Sequence, residues 1–314
     1  VLASPRRSEV IPNRDDLARS GEHHQDEVTG ELFMIVVTGA TGNVGRPLVQ
    51  ALAAAGEQVT AVSRGVSDAA VPDGVRHRQA DLTDPESLRP VLDGADALFL
   101  HDGGANAHLL SPRNILDIAK AGGVGRIVLL SSIGVATRPQ SASHGGMMRA
   151  IEDAVRQSDT GWTILRPGAF NSNAYAWAET VRAHRTVAAP FGDVGLPTID
   201  PADIAEVAAA ALHEDGHAGQ VYELTGPTLT TPRQGAEAIG DTLGEPVRFI
   251  EQTREEAHAQ MLRFMPEPVV ETTLDAIGEP NPAEQRISPD VERVLGRAPR
   301  TFADWVQRNI AAFQ

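Results

Sequence analysis

The 314 residues include 42 acidic and 27 basic side chains, a formal charge of −15. That field repels phosphate backbones and anionic membranes, so neither nucleic acid nor a membrane surface is expected as a partner. There is no cysteine, which excludes disulfides, thiolate metal sites and cysteine nucleophiles and fits a reducing compartment; a cytoplasmic location is expected. Hydrophobic residues make up 41%, and the length suffices for one large or two small domains with a substantial core.

Residues 1–33 are polar, lack the apolar segment of a secretory signal, and read as a flexible N-terminal extension. His23 and His24 in it are a conceivable metal pair, but a solvated segment explains them as well. No compact His/carboxylate cluster occurs elsewhere, so no metal is expected. No apolar run is long enough to span a bilayer.

From Met34 the pattern becomes regular. "MIVVT" (34–38) reads as a buried parallel strand. Val44, Leu48, Ala51, Leu52 and Ala55 then share one helical face, with Pro47 in the first turn and Gly56 at the end. "QVTAVSR" (58–64) is a second strand. "VRHRQADLTD" (75–84) holds a weaker third strand and a helix start. "DALFLH" (96–101), "RIVLLSS" (126–132) and "GWTILRPG" (161–168) are further strands, separated by helices at 112–121 and roughly 145–157. This alternation predicts a doubly wound parallel sheet of the Rossmann type, an α/β fold, over 34–170. Residues 171–314 read as a smaller mixed α/β lobe that returns in part to the sheet. It has a strand at 220–226, helices at 203–213, 232–243 and 254–263, and prolines clustered at 266–289. A last helix carries Phe302, Trp305, Val306, Ile310 and Phe313 on a packing face. Asp203 reads as a first-turn residue favoured by the helix dipole.

The most informative stretch is "VTGATGNVG". Gly39, Gly42 and Gly45 stand between an apolar strand and an amphipathic helix. Glycines there permit a sharp turn and close approach of the backbone to a pyrophosphate, which the helix N-terminus attracts. The plain alternative is a tight β-α turn without a ligand. At the end of the second strand, where NAD sites place a carboxylate, Ser63 and Arg64 follow instead. A guanidinium pairs with a 2′-phosphate, so NADP(H) is favoured and NAD(H) remains possible. A solvated arginine is the other reading. Asp81 is a candidate acceptor for the adenine amino group, or a capping or turn residue, or both.

"VTGATGNVG", "ADLTD", "LLSSIG", "WTILRPGAFNSN" and "GRAPRTFADWV" together resemble the NmrA-like branch of the atypical short-chain dehydrogenases/reductases, over about 34–314. The resemblance implies a Rossmann domain with a C-terminal substrate lobe and binding of NADP(H) or NAD(H). Some members reduce quinones, imine-like or enone substrates, or tailor aromatic natural products; others sense nicotinamide redox state for a transcription partner. It also implies residue roles. Gly39, Thr41, Gly42, Asn43 and Val44 cradle the pyrophosphate, and Arg64 meets the 2′-phosphate. Asp81 and Leu82 contact adenine. His101 and Asp102 pass the riboses. Ser131 and Ser132 lie near the nicotinamide ribose, and Pro167, Gly168 and Phe170 face the nicotinamide.

Reductases of the wider superfamily use a Ser, a Tyr and, four residues on, a Lys. Here Ser131, His144 and Met148 stand at that spacing. Methionine cannot lower a neighbour's pKa, but a histidine is a general acid unaided. Three readings follow: His144, with Ser131 and Ser132, completes a reductase; the site binds cofactor and a protein partner without chemistry; or His144 acts as base in a redox-neutral cyclisation, dehydration or isomerisation. A surface role for His144 is the plain alternative. Glu152, two turns further along, either orients the site or has a structural or surface role. Asn171 and Asn173 are candidates to hold a substrate carbonyl, or they cap turns. Tyr175 and Trp177 line a substrate pocket or belong to the core. The leading expectation is an NADP(H)-dependent oxidoreductase acting on a small apolar or aromatic carbonyl, quinone or enone. A homodimer or a protein partner is compatible with it.

Overall fold

The structure is a computed structural model that describes residues 33–65, 71–101, 108–142 and 145–314; the expected extension, His23 and His24 among it, lies outside them but for Phe33. Residues 33–314 form one compact unit. The strands are β1 (Met34–Thr38), β2 (Gln58–Ser63), β3 (Arg76–Gln79), β4 (Ala97–Leu100), β5 (Arg126–Leu130), β6 (Gly161–Pro167), β7 (Thr186–Pro190), β8 (Gln220–Leu224) and β9 (Arg248–Gln252). Seven of them make one sheet in the order β3-β2-β1-β4-β5-β6-β8. Its pairs are all parallel, with Val36 opposite both Thr60 and Leu98, and Leu165 opposite Tyr222.

The near-continuous apolar strands are explained by helices on both faces. Because side chains alternate along a strand, β1 sends Ile35 and Val37 to one face and Val36 to the other. On the first face Ile35, Val37, Phe99 and Leu165 meet Leu48 and Leu52 of helix Gly45–Ala54, and Ile204, Val207 and Ala211 of helix Pro201–His213. On the second, Val36, Leu98, Ile127 and Ile164 meet Ile115 and Ile118 of helix Pro112–Gly122, and Met148, Ile151 and Val155 of helix Gly145–Arg156. No helix among the described residues is long and apolar enough to cross a membrane.

Beyond β6 the chain builds a second core. Trp305, Val306 and Phe313 pack with Val181, Val187 and Ile239, on the face the sequence assigned to the last helix, which runs Phe302–Asn309 before a short 3-10 turn. Two strands were not legible in the sequence. β7 and β9 pair with each other in parallel, but β9, "RFIEQ", alternates neither in polarity nor in burial. Helix Glu267–Gly278 was also missed within the proline cluster; Pro268 sits in its first turn, where a missing N–H costs little. Helix Pro201–His213 starts earlier than its expected 203, because Asp200 caps it by accepting from the Ala202 N–H at 2.9 Å. Asp203 does more than complement the dipole. It is wholly buried and accepts from Arg297 Nη2 at 2.7 Å and from the Arg300 backbone N–H at 2.7 Å, so it clamps the C-terminal segment to this helix.

Candidate functional site

The turn after β1 is shaped by its glycines. Gly39 has φ +63°, and a Cβ there would meet the His101 ring at 2.5 Å. The Gly42 N–H closes the turn on the Gly39 carbonyl at 2.9 Å. A Cβ on Gly45 would strike that same carbonyl at 2.1 Å, so the third glycine is what lets the helix start so close to the strand. No side chain caps this helix, and its first turn holds no acidic residue. Its N–H groups and dipole therefore favour an anion from the cleft. The Asn43 side chain reaches across the turn, donating from Nδ2 to Ser172 Oγ at 3.2 Å and tying the turn to the segment after β6.

A cleft of about 450 Å³ opens over this turn. Thr41, Gly42, Asn43 and Val44 form its floor; Ser63, Arg64, Asp81 and Leu82 form one end; and His101, Leu110, Leu130 and Phe170 form the other. It lies at the carboxyl ends of β1, β2 and β4, where open parallel sheets bind ligands. The uncapped helix start and the cradle that side chains would fill at Gly39 and Gly45 suit a dinucleotide's pyrophosphate.

At the β2 end, Ser63 Oγ bonds the Gly65 carbonyl and His77 Nε2, both at 2.8 Å, and Gln79 Nε2 donates to the Arg64 carbonyl at 2.8 Å. These bonds pin the turn to β3 and leave the Arg64 side chain exposed. Asp81 Oδ1 accepts from both the N–H and the hydroxyl of Thr83 at 2.9 Å. The Thr83 backbone bond, then its hydroxyl, hold the carboxyl below its ordinary value, and Arg64 adds to this. Asp81 is thus a turn residue that also lines the cleft.

The other end departs most from expectation. The Ser131 hydroxyl is buried and donates to Glu152 Oε1 at 2.6 Å. Glu152 is 2% exposed and is gripped by Arg166 through Nε at 2.9 Å and Nη2 at 2.6 Å. Burial pushes the Glu152 carboxyl up, but bonds from Arg166 and Ser131 outweigh it and leave it below the usual glutamate range. Ser131, expected to act on a substrate, is thereby committed to a buried ion pair. Glu152 is not a solvated residue. A signal for this network was present in the sequence: Arg166 interrupts the apolar strand "WTILRPG", and a charge there needs a buried partner. Met148, where a lysine would stand, is 2% exposed and part of the core.

Ser132 Oγ accepts from the Gly134 N–H at 3.1 Å and caps the following turn. The Pro167 carbonyl accepts from Ile133, and the Gly168 N–H donates to Leu224, which fixes the backbone behind Phe170; Phe170 is the one of these three that lines the cleft. His144 and Asp102 lie outside the described residues. Asn173 is exposed. Tyr175 and Trp177 do not line the cleft. The Tyr175 ring lies 5.0 Å from that of Trp305, edge to face, and its hydroxyl donates to Asn309. Trp177 packs against the second core. Asn171 is 1% exposed, and neither polar atom of its carboxamide has a hydrogen-bond partner among the described residues.

Fold and cleft together define a dinucleotide-binding α/β protein. Comparison with known proteins agrees: the model of a family described as NAD(P)H-binding matches residues 39–215. The chain is 34% identical over 281 residues to a (4-alkanoyl-5-oxo-2,5-dihydrofuran-3-yl)methyl phosphate reductase of Streptomyces griseus, covering 89% of this chain and 99% of that one. It is 31% identical to an NAD(P)H azoreductase of Xenophilus azovorans, with the same coverages, 89% and 99%. An NADPH-dependent quinone oxidoreductase of Escherichia coli, solved with NADPH, superimposes with a TM-score of 0.74 at 26% identity, covering 88% of this chain and 99% of that one. The chain belongs to the NAD(P)H-binding family, in agreement with the NmrA-like resemblance carried by its motifs. Its cofactor is a nicotinamide dinucleotide.

Proposed function

We propose that this protein is an NADPH-dependent reductase of conjugated acceptors such as quinones, enone lactones or azo compounds. The observation that carries this is a contrast within one site. The cleft carries a glycine turn, an uncapped helix start and an exposed Arg64 that suit a dinucleotide, whereas the Ser and Lys positions of the usual proton-delivery set are absorbed into the core, as Ser131–Glu152–Arg166 and as Met148.

Gly39, Gly42 and the start of helix Gly45–Ala54 would hold the pyrophosphate, and exposed Arg64 would pair with a 2′-phosphate. Bound there, reduced nicotinamide supplies a hydride. Phe170, Leu130 and Leu110 line that end of the cleft with apolar side chains, which would shield a bound nicotinamide from water. A simple ketone needs a proton on oxygen as hydride arrives. A quinone or enone spreads the new charge over a conjugated system and takes its proton afterwards, so the missing tyrosine and lysine cost it little. His144 holds the acid's place in the sequence and is assigned the later proton transfer. The relatives fit this class: one is a quinone oxidoreductase, one an azoreductase, and one a reductase of a dihydrofuranone.

The test is steady-state kcat/KM with NADPH and NADH against a quinone, an azo dye, an alkylidene butenolide and a simple ketone. The reading predicts turnover of the conjugated acceptors with NADPH preferred, and none of the ketone. Tight NADPH binding with no turnover of any acceptor would make it a cofactor sensor. A second expectation is that His144→Ala lowers kcat for the conjugated acceptors by no more than about threefold, because the proton follows the hydride.

A further inference from the structure

β3, "RHRQ", is an edge strand without an apolar residue. It pairs with β2 as far as Ser63, opposite Gln79, and the Ala80 N–H then donates to the Ser63 carbonyl at 3.2 Å. Beyond that point side chains take over from the backbone. Gln79 Nε2 donates to the Arg64 carbonyl at 2.8 Å. Ser63 Oγ lies 2.8 Å from both the Gly65 carbonyl and His77 Nε2. A carbonyl only accepts, so the single Ser63 proton goes to Gly65, and His77 Nε2 must carry the proton of the other bond. Ser63 therefore has no proton left to give a ligand. His77 and Gln79 stand two residues apart and share one face of β3. The carbonyls of Ser63, Arg64 and Gly65 are thus all tied to this strand: the first by its backbone, the second by Gln79, and the third through Ser63 by His77. The Arg64 side chain is left exposed at the end of the cleft, beside Asp81 in its lining.

We infer that His77 and Gln79 are positioning residues for cofactor choice: they fix the backbone under Arg64 so that its guanidinium meets the 2′-phosphate that distinguishes NADPH from NADH. Neither residue lines the cleft, so neither is assigned a contact with the cofactor. A turn already held in its bound shape removes an ordering cost from the ligand that uses it. NADH has no 2′-phosphate and makes no use of Arg64. The signature of the two residues is therefore a change in the affinity for one cofactor and not for the other. Their role rests on the reading that Arg64 pairs with the 2′-phosphate.

The experiment measures the calorimetric Kd of NADPH and of NADH for the full chain and its variants. His77→Phe and Gln79→Met remove the side-chain donors at similar size, His77→Gln keeps an N–H, and each is also made in an Arg64→Ala background. His77→Phe and Gln79→Met should each raise the NADPH Kd by about threefold, and together by about tenfold, with the NADH Kd unchanged. His77→Gln should restore most of the loss. With Arg64→Ala already in place, none of them should change the ratio of the two affinities further, because two residues that act through a third lose their effect without it. Equal rises for both cofactors, or no rise for either, would overturn the inference while Arg64→Ala still abolishes the preference. So would an effect that persists in the Arg64→Ala background, which would mean direct contact with the phosphate. A wild type that does not prefer NADPH, or a preference that survives Arg64→Ala, would instead defeat the role given to Arg64, and that of its two supports with it.

Discussion

One methyl group at position 39 tests the cofactor turn. Gly39→Ala must hold φ at +63° and push its Cβ into the His101 ring, so NADPH affinity should fall by at least about tenfold by calorimetry. Reversing the charge at the opposite end, Arg64→Glu, should lower the NADPH-over-NADH preference in kcat/KM by about 10²-fold. Glu152→Gln leaves the Arg166 guanidinium buried without its counter-ion and should cost about 3 kcal/mol in denaturant unfolding at neutral pH. The pH dependence has a defined sign. The folded Glu152 pKa lies below its unfolded value, so the network's contribution is complete above the ordinary glutamate range and is lost as pH falls through the depressed value. The wild type and the variant should therefore converge in acid. The cofactor turn was legible in the sequence because its glycine spacing is itself the constraint. The role of Glu152 was not: whether a glutamate on an amphipathic helix is solvated or paired depends on Arg166 and Ser131, which reach it only once β5 and β6 lie side by side.

Among the elements, the strands that carry the cleft were readable because each is a short apolar run closed by a turn signal. β7 and β9 gave no such signal, since their pairing with each other, and not their composition, makes them strands. Asp203 shows the same limit on a helix: its place in the first turn was clear, but its bonds to Arg297 and Arg300 span 94 and 97 positions. Asp203→Asn should cost about 3 kcal/mol. It should also speed tryptic cleavage at Arg297 and Arg300 under native conditions, while leaving the rate at Arg185 unchanged. Equal acceleration at all three sites would mean global and not local loosening.

For the whole molecule, ligand binding and stability are linked. NADPH at about a hundred times its Kd should stabilise the protein by about 2.7 kcal/mol, and NADH at the same concentration should do less. Duplex DNA should produce no shift, because the net charge of −15 opposes it. The dinucleotide cleft is assigned to hydride delivery although Ser131 and Met148, at the Ser and Lys positions of the usual catalytic set, are packed into the core. The most direct test is a single turnover, in which NADPH-loaded protein is mixed with menadione and the absorbance of reduced nicotinamide is followed in time. Loss of that absorbance is expected, with one equivalent of quinol formed per cofactor oxidised. Tightly bound NADPH that stays reduced in the presence of saturating menadione and the other conjugated acceptors would contradict it.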